Sequence, residues 1–498
     1  MNNDVTEVKM PDKSSYAKSV FIFLFHYLVL LALSALFMWL NAIELGDGSS
    51  VAGYVRENFT SVVSLLASMF VLCVIVYFYY FFERKEVLAD AKTLWLIFIL
   101  LETGLVICYF FGYFFNIYSR PVAMLALLAL VLLGRRDAIF LNVIFGLLLY
   151  SVDYFSNFTE INLYESALVS TPLIVFSSGM VAIFVGSNVK TRLRSILTGF
   201  AICLPIVVLI ACLEYARGGD IWYLLLYGLE AGIVSAVLFM AFLPMFEVLF
   251  NCVTDYRLRE LSDHDAPLMR ELKERAPGTF NHSIVVAYLA EACAIALGEN
   301  AALARAAAYY HDVGKLRQPE YFAENQAGYN PHNELSPELS VDIIRSHAKD
   351  GYELIRSKRL PKVLADVAVQ HHGTLPIKFF YAKALKMTDG EVDIENFSYP
   401  GPKPQTKIAA IVMISDASEA ISRTLPDRTP EKVENAVREI IEERMDLDQF
   451  TECDITMRDL STIKEAIVSC LTGVYHSRVQ YPKLKLGHKE EEAEKEHD

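Results

Sequence analysis

Seven residues in the C-terminal half are of types that could hold metal: His282, the pair His311-Asp312, His347, the doublet His371-His372, and Asp416. The chain has 11 histidines, and only His26 precedes residue 264, so the imidazoles are concentrated where these residues fall. Imidazole and carboxylate without thiolate suit Mn, Fe, Co, Ni or Zn rather than Mg or Ca. Five histidines and two aspartates exceed what one ion with open positions would take. They suit two ions sharing a carboxylate, which can activate a water and clamp both the attacking and the leaving oxygen of a phosphoryl centre. A lone histidine in a helix is more often structural than ligating, and an isolated His-Asp pair is weak evidence. The metal reading rests on the combination: a His-Asp pair, a His-His doublet and two further residues on separate elements.

The elements that must position these residues read as helices. Residues 282–297 have helical apolar spacing and end at Gly298, and residues 300–312 are alanine-rich and end near Gly314. Residues 337–358, 361–372, 405–424 and 430–446 also read as helices, several opened by proline or a polar cap. Strand signals are sparse, so the fold class is all-α.

Upstream, residues 19–250 are a succession of apolar runs in a chain that is 54% hydrophobic. A helix needs about 20 mostly apolar residues to cross a bilayer. Eight spans are predicted, at roughly 19–41, 59–82, 93–115, 120–133, 138–154, 166–186, 196–214 and 221–250; the fourth is short and contains Pro121. The first is too long and too polar at its N-terminal flank for a cleaved signal peptide. With the N-terminus inside, Lys9, Lys13, Lys18, Arg84, Lys85, Lys92, Arg135, Arg136, Lys190, Arg192 and Arg194 face the cytoplasm, against Arg56, Arg120 and Arg217 on the other side. An even number of spans then puts the histidine-bearing half in the cytoplasm. The outer loops are short, the longest being 42–58 and 155–165. Glu102, Glu230 and Glu247 lie within apolar runs, where carboxylates are functional candidates, although many simply bond a neighbouring helix.

The implied organisation is a cytoplasmic tail (1–18), a polytopic membrane domain (19–250), a charged linker helix (251–279) continuing the last span with a break suggested at Pro267, an all-helical phosphohydrolase domain (280–480) and an acidic disordered tail (481–498). The net charge of −14 and the lack of a basic surface argue against a nucleic-acid polymer as partner. The eight cysteines form no CxxC, which argues against a zinc-thiolate site or a disulfide framework.

At this point the sequence resembles the HD phosphohydrolase superfamily, whose H…HD…D signature is matched by His282, His311, Asp312 and Asp416. The stretches APGTFNHS (276–283), YYHDVGK (309–315), FAENQ (322–326), NPHNELSP (330–337), SHAKDG (346–351), QHHGT (370–374) and GPKPQTK (401–407) resemble the seven-transmembrane HD family more specifically. That resemblance implies two divalent ions, Mn or Fe. His282, His311, Asp312 and Asp416 would bind the first, His347, His371 and His372 the second, with Asp312 bridging. It implies Lys315 as a phosphate contact, since a cation there offsets substrate charge, with Asp312 and Lys315 as the catalytic pair, and His332 and Asn333 as substrate contacts. The implied reaction is hydrolysis of a cyclic dinucleotide, cyclic-di-AMP to pApA. The implied setting is the plasma membrane of a bacterium, with the lipid bilayer as partner and a homodimer open. Where such proteins carry a large extracytoplasmic domain after the first helix, this chain has only residues 42–58.

Other readings stay open. A cyclic-di-GMP hydrolase of the HD-GYP type expects a Gly-Tyr-Pro motif after the doublet, where this chain has GTLPIKFFY. A (p)ppGpp or dNTP hydrolase would leave His347, His371 and His372 without purpose. A membrane receptor that binds a nucleotide without cleaving it would be signalled by a lost ligand. Phe379, Phe380 and Tyr381, in the aromatic and proline-rich segment 375–404, are candidates for stacking on a purine, against the commoner fate of core packing.

Overall fold

The structure, a computed structural model, describes residues 13–44, 56, 58–155, 165–187, 189, 191–215, 221–387, 391–425 and 429–474. The start of the N-terminal tail, most of the 42–58 and 155–165 loops, Lys9, Lys190, Arg217 and the acidic tail lie outside the described residues. The chain forms two compact units: Met1–Pro277 with Asp312–Pro319 and Lys349–Ala368, and Gly278–His311 with Glu320–Ala348 and Val369–Asp498.

In the first unit every predicted span falls on a helix: α1 (Lys13–Glu44), α2 (Phe59–Glu83), then the short α3 (Lys85–Ala89), α4 (Ala91–Phe114), α5 (Ala123–Leu132), α6 (Arg135–Phe155), α7 (Glu165–Gly186), α8 (Arg192–Tyr215) and α9 (Trp222–Leu249). Among the described residues, seven helices are long and apolar enough to cross a membrane. Six are α1, α2, α4, α6, α8 and α9; the seventh, Pro277–Leu297, carries His282 and packs Val286, Leu289 and Ala290 into the second unit. The shortness of α5 has a local cause. Pro121 stands before it, Gly134 after it takes φ +96°, and its residues Ala123 to Ala129 are all buried inside the bundle. α8 and α9 approach closely because Gly199 faces Gly232, where a side chain would strike Cys203. Small residues at such a crossing let dispersion act between backbones where lipid offers no hydrophobic drive.

Several polar side chains inside this unit are paired across helices, which offsets the cost of burying them in an apolar medium. His26 on α1 meets Glu102 on α4 at 2.7 Å, between the rings of Phe98 and Trp95. Tyr118 reaches Glu214 at 2.5 Å. Arg120, read from the sequence as a loop cation, is 3% exposed and grips Asp153 with two hydrogen bonds of 2.6 and 2.9 Å.

The linker is not one helix continuing α9. Asn251 takes φ +42° and closes α9, and two short helices follow, α10 (Asp255–Leu261) and α11 (Pro267–Arg275), the second opened by its proline. Thr254 caps α10 by accepting the Arg257 N–H at 3.1 Å.

The second unit is built on α12 (Pro277–Leu297), α13 (Ala301–Tyr310), α14 (Pro337–Ser357), α15 (Lys362–Gln370), α16 (Lys378–Met387), α17 (Lys407–Thr424), α18 (Pro430–Asp446) and α19 (Met457–Val474); the last part of α14 and most of α15 group with the first unit. α16 and α19 had no counterpart in the sequence reading. α17 is the central helix, packed by α13, α18 and α19, with Ile408 to Ser415 buried on every side. Among the described residues the only strand-like feature is the isolated bridge between Pro376 and Ser398, in keeping with an all-α class.

The Arg120–Asp153 pair gives a test of the bundle. Replacing Arg120 by Leu strands a buried carboxylate and is expected to cost about 3–5 kcal/mol, while Arg120→Leu with Asp153→Leu recovers most of it. Thermal unfolding of the detergent-solubilised chain reads both.

Candidate metal centre

The seven residues singled out by type and spacing converge. Three groups of ligand atoms each lie within 4.8 Å of one another: His347, His371 and His372; His282, His311 and Asp416; and His311, Asp312 and His371. His311 and His371 each belong to two groups. His311, Asp312, His347 and His371 are at most 2% exposed.

Helix ends and backbone carbonyls set the ring orientations. α13 stops at Tyr310, so His311 and Asp312 sit in the turn beyond it, ahead of the 3₁₀ segment Val313–Arg317. His311 Nδ1 lies 2.6 Å from Ala308 O, and His347 Nδ1, midway along α14, lies 2.5 Å from Ile344 O. A carbonyl oxygen only accepts, so Nδ1 carries the proton in both rings, and in the neutral imidazole Nε2 keeps its lone pair for a cation. The His347 and His371 Nε2 atoms face each other at 3.4 Å. His282 stands between two carboxylates, with Nδ1 2.6 Å from Glu419 Oε2 and Nε2 3.0 Å from Asp416 Oδ1. A neutral ring can donate to only one of them, so the second contact calls for a cation, either a proton or a metal ion. The donor chemistry therefore fits a pair of transition-metal ions.

Neighbouring groups hold these ligands. Thr279, three residues before His282 on α12, bonds Glu324 and Asn325 of the FAENQ stretch at 2.9 Å each. Glu419, three residues after Asp416 on α17, is itself gripped by Arg423 through Nε at 2.6 Å and Nη2 at 2.5 Å. The doublet follows the end of α15, and the turn after it is fixed by Gln449. Its side chain accepts the Thr374 N–H and donates to the Thr374 hydroxyl, each at 2.9 Å. Gly373 takes φ +51° there, and any larger residue would collide with Gln449. Tyr399 stacks on His372, with ring centroids 4.3 Å apart. Burial alone would raise the Asp416 carboxyl. The hydrogen bond from His282, with the positive charge that His282, His311 and His372 carry when protonated, outweighs it and holds the group well below the usual carboxylate range.

The other sequence candidates fall as follows. Lys315 Nζ lies 2.7 Å from Asp312 Oδ2, with its side chain 12% exposed. His332 is buried against Tyr321 and Phe380 and bonds Tyr321 O at 2.9 Å through Nε2, whereas Asn333 is exposed; neither belongs to a ligand group. Phe380 lies in a small core with Val341, Ala384 and Phe397, Tyr381 packs against it, and Phe379 is exposed. The aromatic ring stacked on the doublet is Tyr399. Glu419, Gln449 and Tyr399 escaped the sequence reading; only Glu419 left a signal, a carboxylate one helical turn from Asp416.

Two family models match successive parts of the chain. One, described as a 7TM receptor with intracellular HD hydrolase, covers residues 59–254, and the other, the HD domain, covers residues 279–421. The chain belongs to the seven-transmembrane HD family. The first match contains α2 to α9, with α1 outside it, and the second contains all seven ligand candidates. Two curated relatives are both named cyclic-di-AMP phosphodiesterase PgpH. The Bacillus subtilis (strain 168) protein is 38% identical over 86% of this chain and 61% of its own length. The Listeria monocytogenes serotype 1/2a (strain 10403S) protein is 37% identical over 73% of this chain and 50% of its own length. The chain thus spans between half and two thirds of the length of these relatives. A crystal structure of the L. monocytogenes PgpH HD domain in complex with cyclic-di-AMP is 46% identical, covering 43% of this chain and all of that one, at a TM-score of 0.42.

The Glu419–His282 contact makes a checkable demand. Glu419→Gln keeps the shape but weakens the acceptor that orients and polarises the ring, and is expected to lower metal affinity about 10- to 100-fold. Manganese titration followed by calorimetry or by metal content after dialysis measures it.

Proposed function

We propose that the chain is a membrane-anchored, metal-dependent phosphodiesterase that hydrolyses cyclic-di-AMP to pApA. The observation that carries the reading is the set of interlocking His/Asp groups inside an HD domain. The names of the two curated relatives supply the substrate class. His282, His311, Asp312 and Asp416 would hold one ion and His347, His371 and His372 the other, with Asp312 shared. Manganese or iron fits a donor set that mixes imidazole with carboxylate and lacks thiolate. When bound, the two ions supply Lewis acidity and an activated water for in-line displacement at phosphorus.

The chain's own residues do the rest. The Nδ1 bonds of His282, His311 and His347 fix which ring nitrogen faces inward. Lys315 brings a positive charge beside Asp312, placed to offset charge that gathers on the phosphoryl oxygens as the ribose 3′-oxygen leaves. Burial of His311, Asp312, His347 and His371 excludes bulk water and strengthens each of these interactions. The lysine and arginine bias of the short loops puts the HD domain on the cytoplasmic side, where a cytosolic second messenger would reach it.

The test is cleavage of cyclic-di-AMP beside cyclic-di-GMP by the full chain in detergent, with product identified by mass. The expected outcome is pApA with manganese, little turnover of cyclic-di-GMP, no activity after chelation, and loss of at least about 10³-fold in Asp312→Ala. Lys315→Met is expected to lower kcat about 10²-fold with metal content unchanged. Metal-loaded wild-type protein that cuts neither dinucleotide would exclude this substrate class.

A further inference from the structure

The C-terminal ends of α9 and α14 are closed in the same way. After α9, Asn251 takes φ +42° and the Cys252 N–H returns to Glu247 O at 3.0 Å. After α14, Arg359 takes φ +56° and the Leu360 N–H returns to Ile355 O at 3.2 Å. Each is a six-to-one closure with a left-handed residue, the position glycine usually fills. Asparagine tolerates that region. Arginine enters it only at a cost, so its surroundings must hold it there.

One guanidinium joins the two closures. Arg257 Nη1 donates to Glu247 O at 3.0 Å, Asn251 Oδ1 at 3.1 Å and Cys252 O at 3.1 Å, and Nη2 donates to Arg359 O at 3.2 Å. The first three partners belong to the end of α9, where the last helical carbonyls lack partners within the helix. The fourth is the left-handed residue of the α14–α15 turn. Arg257 is itself held in place. Thr254 caps its N–H and also bonds the Glu247 carboxylate, and the adjacent Tyr256 meets Ser195 of α8 at 2.6 Å. Residues 349–368, which contain the turn, lie in the same compact unit as α9 and α10. Upstream of the turn α14 carries His347, and downstream α15 leads into His371-His372, so the turn sets the spacing within one ligand group.

We propose that Arg257 is a positioning residue that fixes the α14–α15 turn to the end of the last membrane helix, so that displacement of α9 reaches the hairpin carrying His347 and the doublet. Its catalytic consequence rests on the phosphodiesterase reading; its structural consequence does not.

The experiment uses the full chain in lipid nanodiscs, comparing wild type with Arg257→Met, which keeps the stem and removes the donors. Amide hydrogen exchange is followed in peptides covering 247–252 and 355–361. Both are expected to exchange about five-fold faster in the variant, the size of one lost hydrogen bond at each end. Faster exchange at 247–252 with 355–361 unchanged overturns the proposal. Arg359→Gly keeps the carbonyl and removes the left-handed cost, so wild-type protection is expected; if it behaves like Arg257→Met, the contact runs through the Arg359 side chain and the proposal fails. In parallel, kcat for cyclic-di-AMP is expected to fall about five-fold in Arg257→Met, with KM and bound metal unchanged. An unchanged kcat, or a fall explained by lost metal, overturns the catalytic half. A wild type that turns over no cyclic-di-AMP refutes the phosphodiesterase reading alone, and the exchange result still decides the coupling.

Discussion

Imidazole rings turned so that their remaining lone pairs face one another are the constraint on which the architecture of the histidine-bearing half depends. In His311 and His347 a backbone carbonyl fixes the proton on Nδ1, and the opposite nitrogens point inward with nothing of their own to donate. Such an arrangement is unfavourable unless a cation occupies the middle, so folding energy from elsewhere must hold the rings in position. That energy comes from the packed helices. α17 is buried along the turns that precede Asp416, and α13 lays four small alanines, Ala304, Ala306, Ala307 and Ala308, into the interior just before His311. Ligands set on rigid elements lose little order when an ion binds, which is why this kind of chemistry favours helix ends over free loops.

The membrane half obeys the same rule under a different solvent. Hydrocarbon gives helices no reason to associate by apolar area, so the bundle relies on close backbone approach, as at Gly199 and Gly232, and on polar pairs that have no alternative partner in lipid. Arg120 with Asp153 and Tyr118 with Glu214 join segments far apart in sequence. A buried ion pair of this kind gives little net stability, but breaking it is expensive, so it specifies which helices meet.

How much of this was legible in the sequence follows from the physics of each feature. The membrane helices were, because long apolar runs repeated along residues 19–250 mark a polytopic bundle, although Pro277–Leu297 is as long and apolar and belongs to the second unit. The seven metal-ligand candidates were, because their residue types are rare and their grouping is not what a helical surface would produce. Glu419, Gln449 and Tyr399 were not: glutamate, glutamine and tyrosine are ordinary residues, and what matters is that the fold brings them against His282, Thr374 and His372. The linker was misread because a charged, helix-favouring stretch hides the left-handed cap at Asn251, which depends on its neighbours' hydrogen bonds. His332, with Tyr321 O on one side and Phe380 on another, shows the opposite case, a conspicuous residue type set into packing.

The His26–Glu102 pair has a mechanical consequence for α1, the helix that lies outside the family match over residues 59–254. Sliding α1 along α4 by a full turn would carry the imidazole about 5.4 Å from the carboxylate in hydrocarbon, and the residues one turn away on α1, Ile22 and Leu30, offer no basic replacement. The aromatic slot formed by Phe98 and Trp95 admits one flat ring and adds a steric stop to the polar one. α1 therefore has a single register against the bundle. Forces applied to either of its ends are converted to tilt or twist about this pivot rather than to a piston stroke, as with a lever pinned at one point along its length.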